Sequence, residues 1–113
     1  MSGSDPTVSN SSRGLGPAAD EGADQCPTQF QTVLGSPEPS LVGNLSEGDL
    51  LDVVKFDDAP TRGVIATLLS GERVGAITRD IALLRRCIDR GVEYEAEVVR
   101  VTGGSVLVDV HRR

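Results

Sequence analysis

From Leu50 to the end of the chain, apolar residues come in short runs separated by turn residues, the pattern of a mainly β fold. Leu50–Phe56 (LLDVVKF) has strand length and is entered from the turn Ser46-Glu47-Gly48-Asp49. After the loop Asp57–Thr61 comes Gly63–Leu69 (GVIATLL), β-branched and apolar on both faces, which predicts a strand inside a sheet rather than at its edge. Ser70-Gly71-Glu72 then turns the chain into a third short strand, Arg73–Ile77. Over Thr78–Arg90 the period changes. Ile81, Leu83, Leu84, Cys87 and Ile88 fall on one arc of a helical wheel, and Ala82, Arg85, Arg86, Asp89 and Arg90 on the other. Thr78 or Asp80 is placed to cap this helix, and Gly91 to end it in a left-handed turn.

Val92–Val101 and Ser105–His111 predict a hairpin about Gly103-Gly104, a favoured two-residue turn. Pairing outward from the turn sets Val101 against Val106. Ala96 then meets Val110 only if Val98 and Val99 together oppose Val108, which predicts a β-bulge that bends the strand. The element order is β-β-β-α-β-β. It predicts a small, partly open β-barrel of the OB or SH3-like kind carrying one helix. A ferredoxin-like sandwich, which needs two helices, fits less well.

The first third of the chain reads differently. Residues 1–29 are rich in Ser, Gly, Pro, Asp and Asn, with too little apolar surface to offset their conformational entropy. Phe30–Leu34 is a brief apolar patch, readable as an added strand or a docked segment, and Gly35–Pro39 breaks regular structure. The expected division is a disordered acidic arm over residues 1–40 and a domain over 41–113. Charge follows this division: up to residue 44 the only base, Arg13, faces Asp5, Asp20, Glu21, Asp24 and Glu38, leaving most of the net charge of −6 there. A net acidic chain disfavours non-specific nucleic-acid binding at long range, although a local basic face is compatible with it.

Cys26 and Cys87 are far apart, with no CxxC and no histidine nearby, so neither metal-ligand spacing nor a cofactor motif is present and both are expected to be free thiols. No basic-then-apolar leader opens the chain, and its longest apolar run, around Val64–Leu69, is too short to span a membrane. A cytoplasmic location is the expectation.

Leu41-Val42-Gly43, Glu47–Leu51, Gly63–Ala66 and Val74–Ile77, followed by a helix and a closing hairpin, resemble the HIRAN domain over about residues 41–113. The resemblance implies an OB- or SH3-like barrel that recognises DNA. The family's N-P-x-D segment is replaced here by Asp57-Asp58-Ala59-Pro60-Thr61, and Ala76 stands where an aromatic is common. Phe30, Phe56 and Tyr94 are the only aromatic residues, so the family's DNA-end contacts do not carry over.

Ten of the eleven basic residues are arginine, which coding bias accounts for more simply than phosphate recognition. Arg79, Arg86 and Arg90 share a helix sector and, with Arg62 and Arg73, form the candidate phosphate-facing set. The plainer reading is a solvated face with Arg85 and Asp89 pairing locally. Glu93, Glu95 and Glu97 alternate on one strand face, and His111 is read as an exposed strand end. No nucleophile, base or metal cluster is assembled, so the expected function is a non-enzymatic binding module without catalytic residues or cofactors. DNA, as single strands or ends, is one expected partner. The alternative is a protein partner engaged by the arm or by an exposed sheet edge.

Overall fold

The computed structural model describes residues 25–58 and 62–113; the expectation for residues 1–24 lies outside them. Among the described residues six strands form one antiparallel sheet: β1 (Gln29–Val33), β2 (Leu50–Phe56), β3 (Gly63–Thr67), β4 (Arg73–Ile77), β5 (Tyr94–Thr102) and β6 (Ser105–Arg112). Their spatial order is β1-β6-β5-β2-β3-β4. Two helices accompany them, α1 (Pro39–Val42) and α2 (Ile81–Asp89). The sheet curls until its end strands approach. Just past β1, Gly35 and Ala76 exchange N–H···O bonds of 2.8 Å, and the Glu38 N–H donates to Val74 O at 2.7 Å. This is the partly open barrel that the strand pattern predicts.

Alternation places Leu51 and Val53 of β2, Val64 and Ala66 of β3, and Tyr94, Ala96 and Val98 of β5 in the core with Val106, Val108 and Val110 of β6. The Gly103-Gly104 turn has positive φ at both positions, 56° and 88°. Register runs Val101↔Val106, Arg100↔Leu107, then Val98↔Val108 and Ala96↔Val110, so the bulge falls where hydrophobic parity requires it. α2 begins at Ile81, after Asp80 in a left-handed conformation that makes no side-chain cap bond. It ends as expected: the N–H groups of Gly91 and Val92 donate to the carbonyls of Ile88 and Cys87, and Gly91 has φ +97°.

Three expectations need correction. Residues 25–40 are folded onto the barrel rather than extending the arm: β1 pairs along β6 from Gln29↔His111 to Val33↔Leu107, and Leu34 is buried. β1 gives a weak signal because its half-buried positions are Phe30 and Thr32, between outward Gln29, Gln31 and Val33. A second helix exists, a single turn at Pro39–Val42; Pro39 at its start loses no intrahelical bond there. Cys26 and Cys87 are not free thiols. They form a disulfide, with both residues buried in the core.

Candidate functional site

The antiparallel register sets Phe56 opposite Gly63 and Ile65 opposite Ala76, placing four residues of β2, β3 and β4 beside one another. Gly63 offers no side chain to cover the Phe56 ring. A groove of about 150 Å³ results, lined by Phe56, Ile65, Ala76 and Ile81, with Arg62 and Arg73 on its rim. The Arg73 guanidinium stands over the Phe56 ring, 5.6 Å from its centroid. Among the described residues no carboxylate lies within ion-pair distance of Arg62 or Arg73.

Asp57, which follows Phe56, is already engaged. Its Oδ1 accepts from Arg85 Nη2 at 2.5 Å, while Arg85 Nη1 donates to the carbonyls of Gly63 at 2.9 Å and Phe56 at 3.3 Å. The hydrogen bond from Arg85 holds the Asp57 carboxyl below its ordinary value, against a smaller opposing effect of burial; Arg62 adds a weaker, longer-range attraction. Arg85 therefore fastens both ends of the β2–β3 connection to α2. It does not pair with Asp89, which bonds Lys55 of β2 instead.

Of the five candidate arginines, the structure brings Arg62 and Arg73 together and sets the others apart. Arg79 closes the seam of the barrel: its guanidinium lies 5.5 Å from the Phe30 ring centroid and donates to the Gln31 carbonyl at 3.2 Å. Arg86 and Arg90 stand exposed at the far end of α2, outside the groove. Phe56 was not a candidate on sequence, because its partnership with Arg73 depends on β3 lying between their strands. Its position at the end of a strand, before a loop bearing Arg62, was the available signal.

Elsewhere a cluster of charges is matched internally. His111 Nε2 lies 2.8 Å from the acceptor Glu95 Oε2, and Arg113 gathers Asp52, Glu95 and Glu93 around its guanidinium. His111 is thus a partner in the acidic strip rather than a bare strand end. A larger cavity of about 360 Å³, bounded by Val54, Ile88 and Val92, has this network at its mouth. Among the described residues no group of three His, Cys, Asp or Glu is placed to hold a metal ion, and no helix is long and apolar enough to cross a membrane. The fold and groove define a small antiparallel barrel with a cationic, aromatic rim. No family model, curated protein or solved structure matches this chain.

Proposed function

We propose that this chain is a non-enzymatic binding module that takes single-stranded nucleic acid, or a strand end, in the Phe56 groove. The observation that carries the reading is the pair of guanidiniums, Arg62 and Arg73, flanking an aromatic ring without carboxylate partners among the described residues. A half-buried aromatic offers a stacking surface that any base accepts, and unpaired arginines bond phosphate oxygens. The HIRAN resemblance leads to the same ligand class from the sequence. Arg73 already lies on Phe56, so it either moves aside for a base or forms the second wall of a stack.

A protein partner is the alternative, and the form it takes is restricted. Strand addition at an open edge is disfavoured because Gly35 and Glu38 pair with β4 and Arg79 covers the Gln31 carbonyl of β1. A partner would instead bring an acidic, apolar segment to the same groove. The expected cytoplasmic location rested on free thiols as well as on the N-terminal sequence, and the disulfide removes the first support; disulfides persist mainly in oxidising compartments.

Fluorescence anisotropy of labelled single-stranded, duplex and 3′-tailed DNA, and of an acidic peptide, titrated with the oxidised full chain tests the proposal. Single strands bind best. With two phosphates neutralised, log K falls with log salt at a slope of about −1.4. Phe56→Ala and Arg73→Glu weaken binding at least ten-fold, and Arg86→Glu leaves it within two-fold. Binding of the acidic peptide without binding of any DNA would replace the nucleic-acid reading with the protein-partner one.

A further inference from the structure

We infer that oxidation of Cys26 and Cys87 to their disulfide is the step that assembles the groove, so that the chain is competent to bind only where that bond can form. The inference rests on the groove being the ligand site and adds the condition under which it exists. It starts from what α2 contributes. Ile81 lines the groove, Arg85 holds Phe56, Gly63 and Asp57, and Asp89 bonds Lys55. These three residues are spaced by four and form one stripe of α2 along the β2–β3 hairpin. The groove keeps its shape only while α2 keeps its place.

Besides its polar contacts to β2–β3 and the packing of Ile81, Leu83 and Ile88 at the edge of the core, the disulfide is the covalent hold on that place. α2 has nine residues, shorter than an isolated helix needs for stability in water. It starts without a side-chain cap bond, and in its last turn Asp89 offsets the favourable charge of Arg86 at the negative end. Its fully buried residues are Leu84 and Cys87, and one of these is the disulfide sulfur itself. The other end of the bond is well anchored. The carbonyl of Cys26 accepts from Arg112 Nη2 at 2.7 Å, that of Pro27 from the Tyr94 hydroxyl at 2.8 Å, and that of Thr28 from the Arg112 N–H at 3.1 Å. The covalent link therefore ties a weakly held helix to the β5–β6 hairpin, the most extensively paired part of the sheet. Without it, Arg85 swings with α2, and Phe56 and Gly63 lose their shared clamp.

The chemistry needs a disulfide donor. The thiolate of one cysteine attacks a donor disulfide and expels one donor thiolate; the second cysteine thiolate attacks the mixed disulfide and expels the other. Two electrons pass to the donor, which leaves as two thiols, and the cysteines release two protons. Cys26 and Cys87 are 4% and 1% exposed, so thiols in solution do not reach the closed bond in the folded chain. The bond thus acts as a lasting assembly step rather than a rapid switch.

The test compares amide and arginine side-chain NMR spectra of the oxidised chain with those of the Cys26→Ala/Cys87→Ala chain. DNA anisotropy is measured on both. In the unbridged chain, signals from Phe56, Gly63, α2 and the Arg85 guanidinium shift or broaden, β5–β6 signals stay within line width, and single-strand affinity falls at least ten-fold. Unchanged groove signals in the unbridged chain overturn the inference. If the variant does not fold, the reduced wild-type chain refolded in trimethylamine N-oxide is read against the same two outcomes, since this osmolyte favours the compact state. Loss of groove signals with no DNA binding by the oxidised chain leaves the assembly step standing and removes the nucleic-acid reading instead.

Discussion

At Gly75 a hydrogen atom in place of a methyl group decides whether β4 can reach the segment that follows β1. A Cβ at this position would lie 3.0 Å from Leu34 Cβ and 3.1 Å from Gly35 O. These are the residues through which the barrel seam closes, since Gly35 pairs with Ala76. One neighbour is backbone and the other a buried side chain, so neither yields cheaply. Gly75→Ala should destabilise the fold by about 1–3 kcal/mol through overpacking, read as a lower urea midpoint at unchanged m. Asp57 illustrates the opposite situation, an exposed group with a specific partner. Its folded-state pKa lies below the ordinary 3.8 because Arg85 bonds the ionised form. The associated stability is complete above the unfolded value and is lost as pH falls below it, through the lowered folded value. Asp57→Asn should therefore lower stability slightly at neutral pH, with the difference from wild type closing as pH falls below 3.8, so that the acid limb flattens. A wild-type acid limb unaltered by Asp57→Asn would mean that the Arg85 bond is not formed in solution.

Among the elements, β5 and β6 carry an avoidable conflict. Glu97 and Asp109 are direct cross-strand partners, and like charges in that relation repel. Asp109 Oδ2 accepts from Gln29 Nε2 at 2.7 Å, while its Oδ1 is buried without a hydrogen-bond partner among the described residues. Asp109→Asn keeps an acceptor for Gln29 and removes the like charge. Urea denaturation should show a gain of about 0.5–1 kcal/mol in unfolding free energy, and a loss would show that the cross-strand contact of Glu97 and Asp109 does not weaken the hairpin. The same hairpin explains which parts of this fold are legible in sequence. Its Gly103-Gly104 turn and parity switch at Val98-Val99 are local signals, sufficient to place a bulge. β2, with seven residues of strand pattern, and β4 were bounded as observed for the same reason. β1 is ambiguous in sequence because Phe30 is its single large inward-turned apolar residue, and its identity depends on β6, nearly eighty positions away. The candidate site divides in the same way. Charge alone picked out Arg62 and Arg73, but the Phe56–Gly63 register that gives them a groove is a tertiary fact. Periodicity puts Arg85 on the solvated face because it does not record that the guanidinium can turn back to two carbonyls.

For the molecule as a whole, the disulfide sets the balance between a small core and a long chain. A domain of this size buries a modest fraction of its unfolded surface, and its net stability is the small remainder of large opposing terms. Cys26 and Cys87 are 61 positions apart in sequence, so their bond closes a loop containing nearly all of β1 to α2. Constraining a loop of that length in the unfolded state contributes about 4 kcal/mol on the chain-entropy model. Typical domains have about 5–15 kcal/mol in all, so removing the bond should take a large share of this chain's stability. Urea denaturation of the oxidised chain and of the Cys26→Ala/Cys87→Ala chain measures the difference. The expected result is a loss of about 3–5 kcal/mol, accompanied by a larger m because the unbridged unfolded chain exposes more surface. A loss below about 1 kcal/mol would mean that the clamps on Cys26, Pro27 and Thr28 hold the N-terminal end of the sheet without covalent help. The m-value separates that outcome from residual structure in the unfolded state, which would leave both the stability difference and the change in m small.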